Sequence, residues 1–598
     1  MKHAFHIPVL GLSFSIDSPL KVARFGINSV LSIVDDELIE RVREYHAHKN
    51  NLPFFAIPKK ENDYRAKRIT AYLNLVNELV NQQIDHIKSQ SFDEDSELRK
   101  YFELLPDTHQ SRIAYREMLS MPGGEARDVQ QRILKDSVTA GDIDVNIMSK
   151  VDKLNTDRKG HLLEEQYSDA SAALRGFAQS TLNSSVVLSA GMNPRLYNYI
   201  SELPAFLPDT FGKLQKKIIL KVSDYRSAQI QAKYLAKKAI WVSEFRVESG
   251  LNCGGHAFAT DGFLLGPILE EFKQKKESLL VELRNIYNTA LQAKNQAIVS
   301  DLPIKFTMQG GIGTAAEQTF LLAYYGFDSA GWGSPFLLVP EATTVDQETV
   351  SALANAEPGD FYLSNASPLG VPFNNFRNST AENDRLARIA RGRPGYACTK
   401  KYLVSNTEFT KEPVCTASRV YQHAKINALE AQQLSAEDFQ EQYAKITEKT
   451  CLCEGLAASA YLAYDIGKPK ESKAVAICPG PNTLFFKGIY SLQQMVDHIY
   501  GRVPITLLNR PNLFINELQL YVHYLSKYIE EIAQDAKKER FVEKFSNQLL
   551  DGIQYYKKIN PSLKTFGFSN IRTFLSSLES FEDKLKHLHL VSCPVKTF

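Results

Sequence analysis

The stretch GLNCGGHAFATDG, residues 250 to 262, sets a thiol, two glycines and an imidazole side by side as Cys253, Gly254, Gly255 and His256. Adjacent glycines let a backbone come close to a ligand, and an imidazole with a reference pKa near 6.5 can take or give a proton at neutral pH. A lone histidine in a turn is the plain alternative; the glycine pair and the place after a strand-like run favour acid/base chemistry. A second group begins where Gly310, Gly311, Ile312, Gly313 and Thr314 leave the run PIKFTMQ, and the next apolar run, DSAGWGSPF, carries Gly333 and Ser334 near its end. Backbone N–H groups bared by glycine, with a helix starting at Thr314 and its dipole aimed at the loop, can hold a dianionic phosphate. Either turn alone is as well explained by chain reversal, but together they point to phosphate.

A third group is made of cysteines beyond residue 390: Cys398, Cys415, Cys451, Cys453 and Cys478, with Cys593 near the end of the chain. Three sit in proline- and glycine-bearing segments, GRPGYAC, KEPVC and CPGPN. Thiolates on irregular loops can converge on an iron–sulfur cluster, and zinc also accepts four of them. We take Cys398, Cys415, Cys451, Cys453 and Cys478 as metal ligands, with an iron–sulfur cluster preferred to zinc. There is no CxxC pair, and free or redox-active thiols are the remaining reading; the C-x-C pair of Cys451 and Cys453 also suits disulfide or sulfur chemistry.

Positioning such groups requires a scaffold with many strand ends on one face. Eight short β-branched or apolar runs bounded by turn residues occur at Phe5 to Phe14, Phe25 to Val34, Ile143 to Met148, Ser185 to Gly191, Lys217 to Val222, Ala239 to Val247, Ile304 to Gln309 and Asp328 to Phe336. Most are followed by helix-compatible sequence, and the two glycine loops fall after the seventh and eighth, where a (β/α)8 barrel binds phosphate. The predicted fold is thus α/β, a TIM barrel formed by residues 1–40 and 140–345. Between the second and third runs lies a helical insertion, residues 41–139, in which Ile69, Tyr72, Leu73, Val76, Leu79, Val80 and Ile84 recur at helical spacing. Leaving from a carboxyl strand end, it is a lid candidate; Arg65, Lys67 and Arg68 near its main helix read better as a solvated face than as anion ligands. Residues 346–598 read as a mainly helical, cysteine-bearing domain, with Leu513, Ile515, Leu518, Leu520, Val522, Leu525, Ile529 and Ile532 on one apolar face.

The net charge of +2, from 70 basic and 68 acidic residues, gives no electrostatic footprint for nucleic acid. The apolar amino terminus alternates, lacks a small-residue cleavage site and is too short for a membrane span, and the odd number of cysteines, 7, fits a reducing compartment. The expectation is a cytoplasmic protein with a small-molecule substrate and neither nucleic acid nor membrane as partner.

The order of motifs resembles the nitronate monooxygenase-like (2-nitropropane dioxygenase-like) FMN-dependent barrels, which include flavin enoyl-acyl-carrier-protein reductases. The resemblance spans about residues 5 to 345. Asn252 to His256 stand where that family has EAGGH, Asp144-Val145-Asn146 where it has GVN, Gln309 to Ile312 where it has AGGI, and Gly333 to Phe336 where it has GTRF. It implies FMN as cofactor, His256 as the catalytic base or as a neighbour of the flavin, and Asn146, Gly254, Gly255, Gly310, Gly311, Gly313, Gly333 and Ser334 around the flavin. Lys221 falls where the family often has a polar residue facing the ring; a positive charge there would stabilise an anionic reduced flavin. The chain departs from the pattern in Asn252-Cys253, which replaces Glu-Ala, and in Gly11-Leu12-Ser13, where a methionine-containing turn is usual.

These readings combine into an FMN-dependent oxidoreductase acting on a small nitro, carbonyl or enoyl substrate, with electrons delivered through an iron–sulfur cluster. An electron-donor protein or a nicotinamide nucleotide would be the partner. Two alternatives stand beside it: a sulfur-transfer or modification enzyme using Cys253, and a non-catalytic metal-bound scaffold.

Overall fold

Alternation along the strands builds the barrel wall. In β6 (Val242–Glu248), Phe245 and Val247 point outward into the hydrophobic shell, with the Phe245 ring 6.3 Å from Phe272 of the helix Leu265–Ala293. The intervening Glu244 and Arg246 point inward. Arg246 reaches across the barrel to Asp144 at 3.0 Å and pairs with Glu244 at 2.7 Å, while Thr307 donates to Glu244 at 2.6 Å. This buried ionic layer fills the barrel interior, and each charge in it has a partner, as burial demands.

The computed structural model describes residues 2–592 apart from Val151, Arg158, Ser300, Leu508, 531–535 and Ser569. Ile532 and Cys593 therefore lie outside the described residues. The barrel is closed and parallel, in the order β1 (Phe5–Ile7), β2 (Asn28–Ser32), β3 (Ile143–Asn146), β4 (Ser184–Leu188), β5 (Lys216–Val222), β6, β7 (Lys305–Gln309) and β8 (Ser329–Gly331). Closure comes from β8 pairing with β1, Phe5 opposite Ala330 and His6 opposite Gly331. Each of the eight expected runs holds one strand. The first is shorter than its run because Pro8 has no N–H for the ladder, so residues 8–14 leave the sheet as a loop. The eighth likewise gives way to a 3-10 turn, Ser334–Leu338, with Pro335 at its start.

The helix Tyr64–Ser89 buries the apolar face read from its spacing. It packs on the helix Asp169–Gln179 so closely that a Cβ on Gly176 would meet Ala66 O at 2.7 Å, and its Gln83 donates to Leu20 O at 3.0 Å. It thus takes a place in the outer ring of the barrel. Helix Glu97–Leu104 packs beneath the barrel, where Tyr101 donates to Thr139 O at 3.1 Å. Arg65 and Arg68 are buried and both bond Asp36, at 2.7 and 2.9 Å, and Lys67 pairs with Glu61 at 2.7 Å.

Beyond the barrel come a two-stranded antiparallel hairpin, β9 (Phe361–Ser364) with β10 (Phe373–Phe376), and a set of helices. Helix Leu513–Glu530 buries Leu513, Ile515, Leu518, Val522 and Leu525, with Tyr521 in the same core. Helix Ala536–Thr565 leans on Leu265–Ala293, where Tyr555 donates to Glu270 at 3.1 Å. The hydrophobic core runs unbroken from Phe5 and Leu31 in the barrel to Phe514 and Leu578. Among the described residues no helix is long and apolar enough to cross a membrane.

Candidate active site

The carboxyl ends of the strands surround a cavity of about 860 Å³. This is the face on which barrel enzymes carry their chemistry, and the volume falls within the ~300–1,000 Å³ of small-molecule and cofactor pockets. Asn146, Lys221, Gly254, Gly255, His256, Gly310, Gly311, Gly333 and Ser334 all line it. None of residues 41–139 does.

His256 is set by its neighbours on both sides. Gly255 has φ +79°, which turns the chain so that His256 forms an antiparallel bridge with Phe373 of β10. Its ring meets Phe373 edge-on at 5.0 Å, and its Nε2 lies 2.7 Å from Ser367 Oγ. Nδ1 has no hydrogen-bond partner among the described residues and is not fully buried. Burial, reinforced by the charge of Lys150, lowers the imidazole pKa to about 4. At pH 7 it is therefore neutral, with Nδ1 left for proton exchange.

Around it lie groups that the sequence reading passed over. Lys221 is not a lone charge: its Nζ is 2.9 Å from Glu248, which also accepts from Gln309 Nε2 at 2.8 Å. Burial acts to raise the Glu248 carboxyl, but Lys221, Gln309 and Lys150 outweigh it and hold the group below its ordinary value. Lys150 Nζ sits 3.8 Å over the ring of Phe258, and burial followed by Lys221 lowers it to about 8. Lys221, Glu248 and Gln309 stand at the carboxyl ends of β5, β6 and β7 and Lys150 follows β3, so inward alternation at strand ends was the available signal. Asn146 ends β3, and its amide makes no hydrogen bond to the described residues. Burial and then Glu248 hold the Cys253 thiol well above its ordinary pKa, which favours the protonated form.

The glycine loop behaves differently from expectation at one residue. Gly313 does not line the cavity; its N–H and that of Thr314 donate to Glu317 Oε2 at 2.8 and 3.2 Å. Thr314 and Glu317 form a reciprocal capping box, so the dipole of helix Ala315–Tyr325 is already answered by the chain's own carboxylate. Arg510 seals the arrangement, bonding Glu317 at 2.8 and 3.0 Å. The N–H groups of the helix terminus are thus already taken by Glu317. The N–H groups of Gly310, Gly311 and Gly333 meet no acceptor among the described residues, and Ser334 opens its turn with an N–H of the orphan kind. Gly310, at φ +115°, also has a packing reason to be glycine, since a Cβ would stand 2.8 Å from Cys253 Sγ.

The segment Cys478–Asn482 crosses this rim. Gly255 N–H donates to Cys478 O at 3.0 Å, Gly480 N–H to Ser334 Oγ at 2.7 Å, and Asn482 Nδ2 to Ile312 O at 2.9 Å, tying together the loops after β6, β7 and β8. A Cβ on Gly254 would lie 2.6 Å from Cys478 O, so this close approach requires the glycine. Cys478 consequently belongs to the barrel cavity and is separated from the other expected metal ligands. Cys398, Cys415, Cys451 and Cys453 line a second cavity of about 10 Å³. That is space for about one small atom, too little for a multi-atom iron–sulfur cluster. Among the described residues no group of three or more His, Cys, Asp or Glu is arranged around a metal position.

No family model matches the chain, and no curated protein matches it. Among solved structures it is similar to FabK from Thermotoga maritima, at 14% identity over 68% of this chain and 85% of that one, with a TM-score of 0.30. It is also similar to the enoyl reductase domain of MlnA, from the macrolactin biosynthesis cluster of Bacillus amyloliquefaciens, at 13% identity over 69% and 90% of the two chains, with a TM-score of 0.30.

Proposed function

We propose that the barrel cavity binds FMN and that the protein is an FMN-dependent oxidoreductase acting on a small substrate activated by a nitro, carbonyl or enoyl group. One observation carries this reading: a neutral imidazole, an unpartnered Asn146 amide and open glycine N–H groups line one cavity at the carboxyl ends of the strands. The residues fit the cofactor in kind. Gly310, Gly311, Gly333 and Ser334 would take the phosphate, Asn146 would hydrogen-bond the ring, and the Lys221–Glu248 pair would set the charge beside it. Bound FMN supplies a two-electron acceptor or donor. His256 moves the proton at Nδ1, removing it from the carbon next to the activating group or returning it in the reductive direction. Phe258 and Leu10 add apolar surface that limits water in the cavity. Electrons are not routed through the four clustered cysteines.

Gly333 gives a direct test of the phosphate position. A Cβ there would be 3.5 Å from Pro8 and 3.6 Å from Leu10, which is ordinary contact, so Gly333→Ala is tolerated. Gly333→Asp sets a carboxylate against the phosphate and is expected to weaken FMN binding about 100-fold or more, through like-charge repulsion of several kcal/mol. Flavin titration of the two variants, with circular dichroism to confirm folding, reads the effect. A folded Gly333→Asp variant with unchanged FMN affinity would remove the phosphate from this loop.

A further inference from the structure

We propose that Lys150 is the anion-stabilising residue of the barrel cavity: its ammonium meets the negative charge that develops on the nitro or carbonyl oxygens of the substrate when the neighbouring carbon loses its proton. This rests on the reading of the cavity as a site for FMN and an activated substrate. Among the described residues, three formally charged side chains line the cavity, Lys150, Lys221 and Glu248. Lys221 and Glu248 pair at 2.9 Å and cancel. Lys150 makes no hydrogen bond and no ion pair with the described residues, so one positive charge is left facing the space.

The loop after β3 fixes where that ammonium stands. Met148 takes a left-handed backbone, φ +51°, and the buried Ser149 accepts the Ser189 N–H at Oγ (2.9 Å) and Asn193 Nδ2 at its carbonyl (3.2 Å). Lys150 leaves from this anchored point and lays its Nζ over the Phe258 ring, which holds a cation without neutralising it. The carboxylate nearest in sequence, Asp152, is engaged elsewhere, accepting from Arg195 Nε at 3.1 Å, Asn193 Nδ2 at 3.3 Å and the Ala170 N–H at 3.0 Å. Phe258 is two residues past His256 on the loop after β6, so Lys150 stands near enough for its charge to act on the imidazole. The phosphate of the cofactor does not claim Lys150. The open N–H groups of Gly310, Gly311 and Gly333 follow β7 and β8, whereas β3 lies across the eight-stranded ring from β7.

When His256 Nδ1 takes the proton, one C–H bond breaks and one N–H bond forms. The electron pair left on carbon spreads onto the oxygens of the activating group, and Lys150 faces them as a cation without exchanging a proton. In the reductive direction the same oxygens carry the charge before His256 returns the proton. A fixed cation in a cavity of restricted water acts on such charge more strongly than it would in bulk solvent. The groups that bear on the charge of Lys150 are Lys221, Glu248 and the neutral His256. Burial and then Lys221 bring it to about 8, with Glu248 acting the other way. The cation is therefore present at neutral pH and is lost as pH rises through about 8.

The test uses the full-length protein reconstituted with FMN, its flavin content measured first. Straight-chain carboxylates from propionate to octanoate carry a planar two-oxygen anion like that of a nitronate, and each is compared with its neutral amide through perturbation of the flavin spectrum. Wild type is expected to bind the carboxylate about 10- to 100-fold more tightly than the amide at pH 7, as for one hydrogen bond to a charged group, with the advantage shrinking above about pH 8. Lys150→Met is expected to abolish that preference and Lys150→Arg to keep most of it, with flavin content and amide affinity unchanged in both. A flavin-loaded wild type without the preference, or a Lys150→Met variant that keeps it, would overturn the proposal while leaving the flavin reading in place. A protein that takes up no FMN would overturn both.

Discussion

Replacing His256 by alanine is expected to lower turnover about 100- to 10,000-fold, the usual contribution of a positioned acid/base group, while bound flavin and circular dichroism stay unchanged. The imidazole is fixed by Ser367 at Nε2 and by the Phe373 ring, so its removal takes away the proton carrier without opening the barrel. The pH dependence carries a sign that distinguishes this histidine from an ordinary one. The base is the neutral form, and burial together with Lys150 places its pKa at about 4. Activity through His256 as base is therefore flat across neutral pH and falls only as pH drops through about 4; an unperturbed histidine would lose it below about 6.5. The same shift means the unfolded chain binds this proton more readily, so its contribution to stability is full above about 6.5 and is lost as pH falls towards 4. Lys150→Met removes a positive charge that lowers the pKa and is expected to move the acidic limb upward. An His256→Ala variant with full turnover on nitro, carbonyl and enoyl substrates would remove His256 from the mechanism.

Arg510→Ala is expected to cost about 3–5 kcal/mol, the range for breaking a buried ion pair by removing one partner. Arg510 and Glu317 are each only 3% exposed at the side chain, and Arg510 also donates to Gly311 O at 2.6 Å and Asn482 Oδ1 at 2.8 Å. Without it the Glu317 carboxylate remains buried with only backbone N–H donors. Glu317→Gln in the same chain removes that stranded charge and is expected to recover much of the loss. Urea unfolding of wild type, the single variants and the double variant measures the coupling, read at the first transition because a chain of this size need not unfold in one step. A wild-type midpoint for Arg510→Ala would mean that the pair does not hold the β7 loop.

The barrel was legible because each strand is a short apolar run ended by glycine, proline or a polar turn, and a closed sheet repeats that signal eight times. The place of His256 at the cavity was legible in part, since it lies on the glycine-bearing loop that follows β6. Gly313 was misjudged although Thr314 and Glu317 spell a capping box, a local signal that competes directly with phosphate for the helix terminus. Arg510, which completes that cap, is 193 residues away, and no local pattern pairs them. Cys478, like Cys398, sits beside proline and glycine, but the chain lays it against Gly254 in the barrel rim. The Tyr64–Ser89 helix shows the same division: its buried face follows from spacing, whereas its place in the outer ring depends on contact with Gly176. The hairpin of β9 and β10 falls in the turn-rich opening of a mainly helical region, and it supplies the Phe373 that pairs with His256.

The central claim is tested most directly by the ultraviolet-visible spectrum of the full-length protein purified without oxygen, with the flavin extracted and identified. The account predicts flavin bands, FMN in the extract at close to one per chain, and no iron–sulfur absorption. A colourless protein that yields no flavin, and that takes up none when FMN is added, would contradict it.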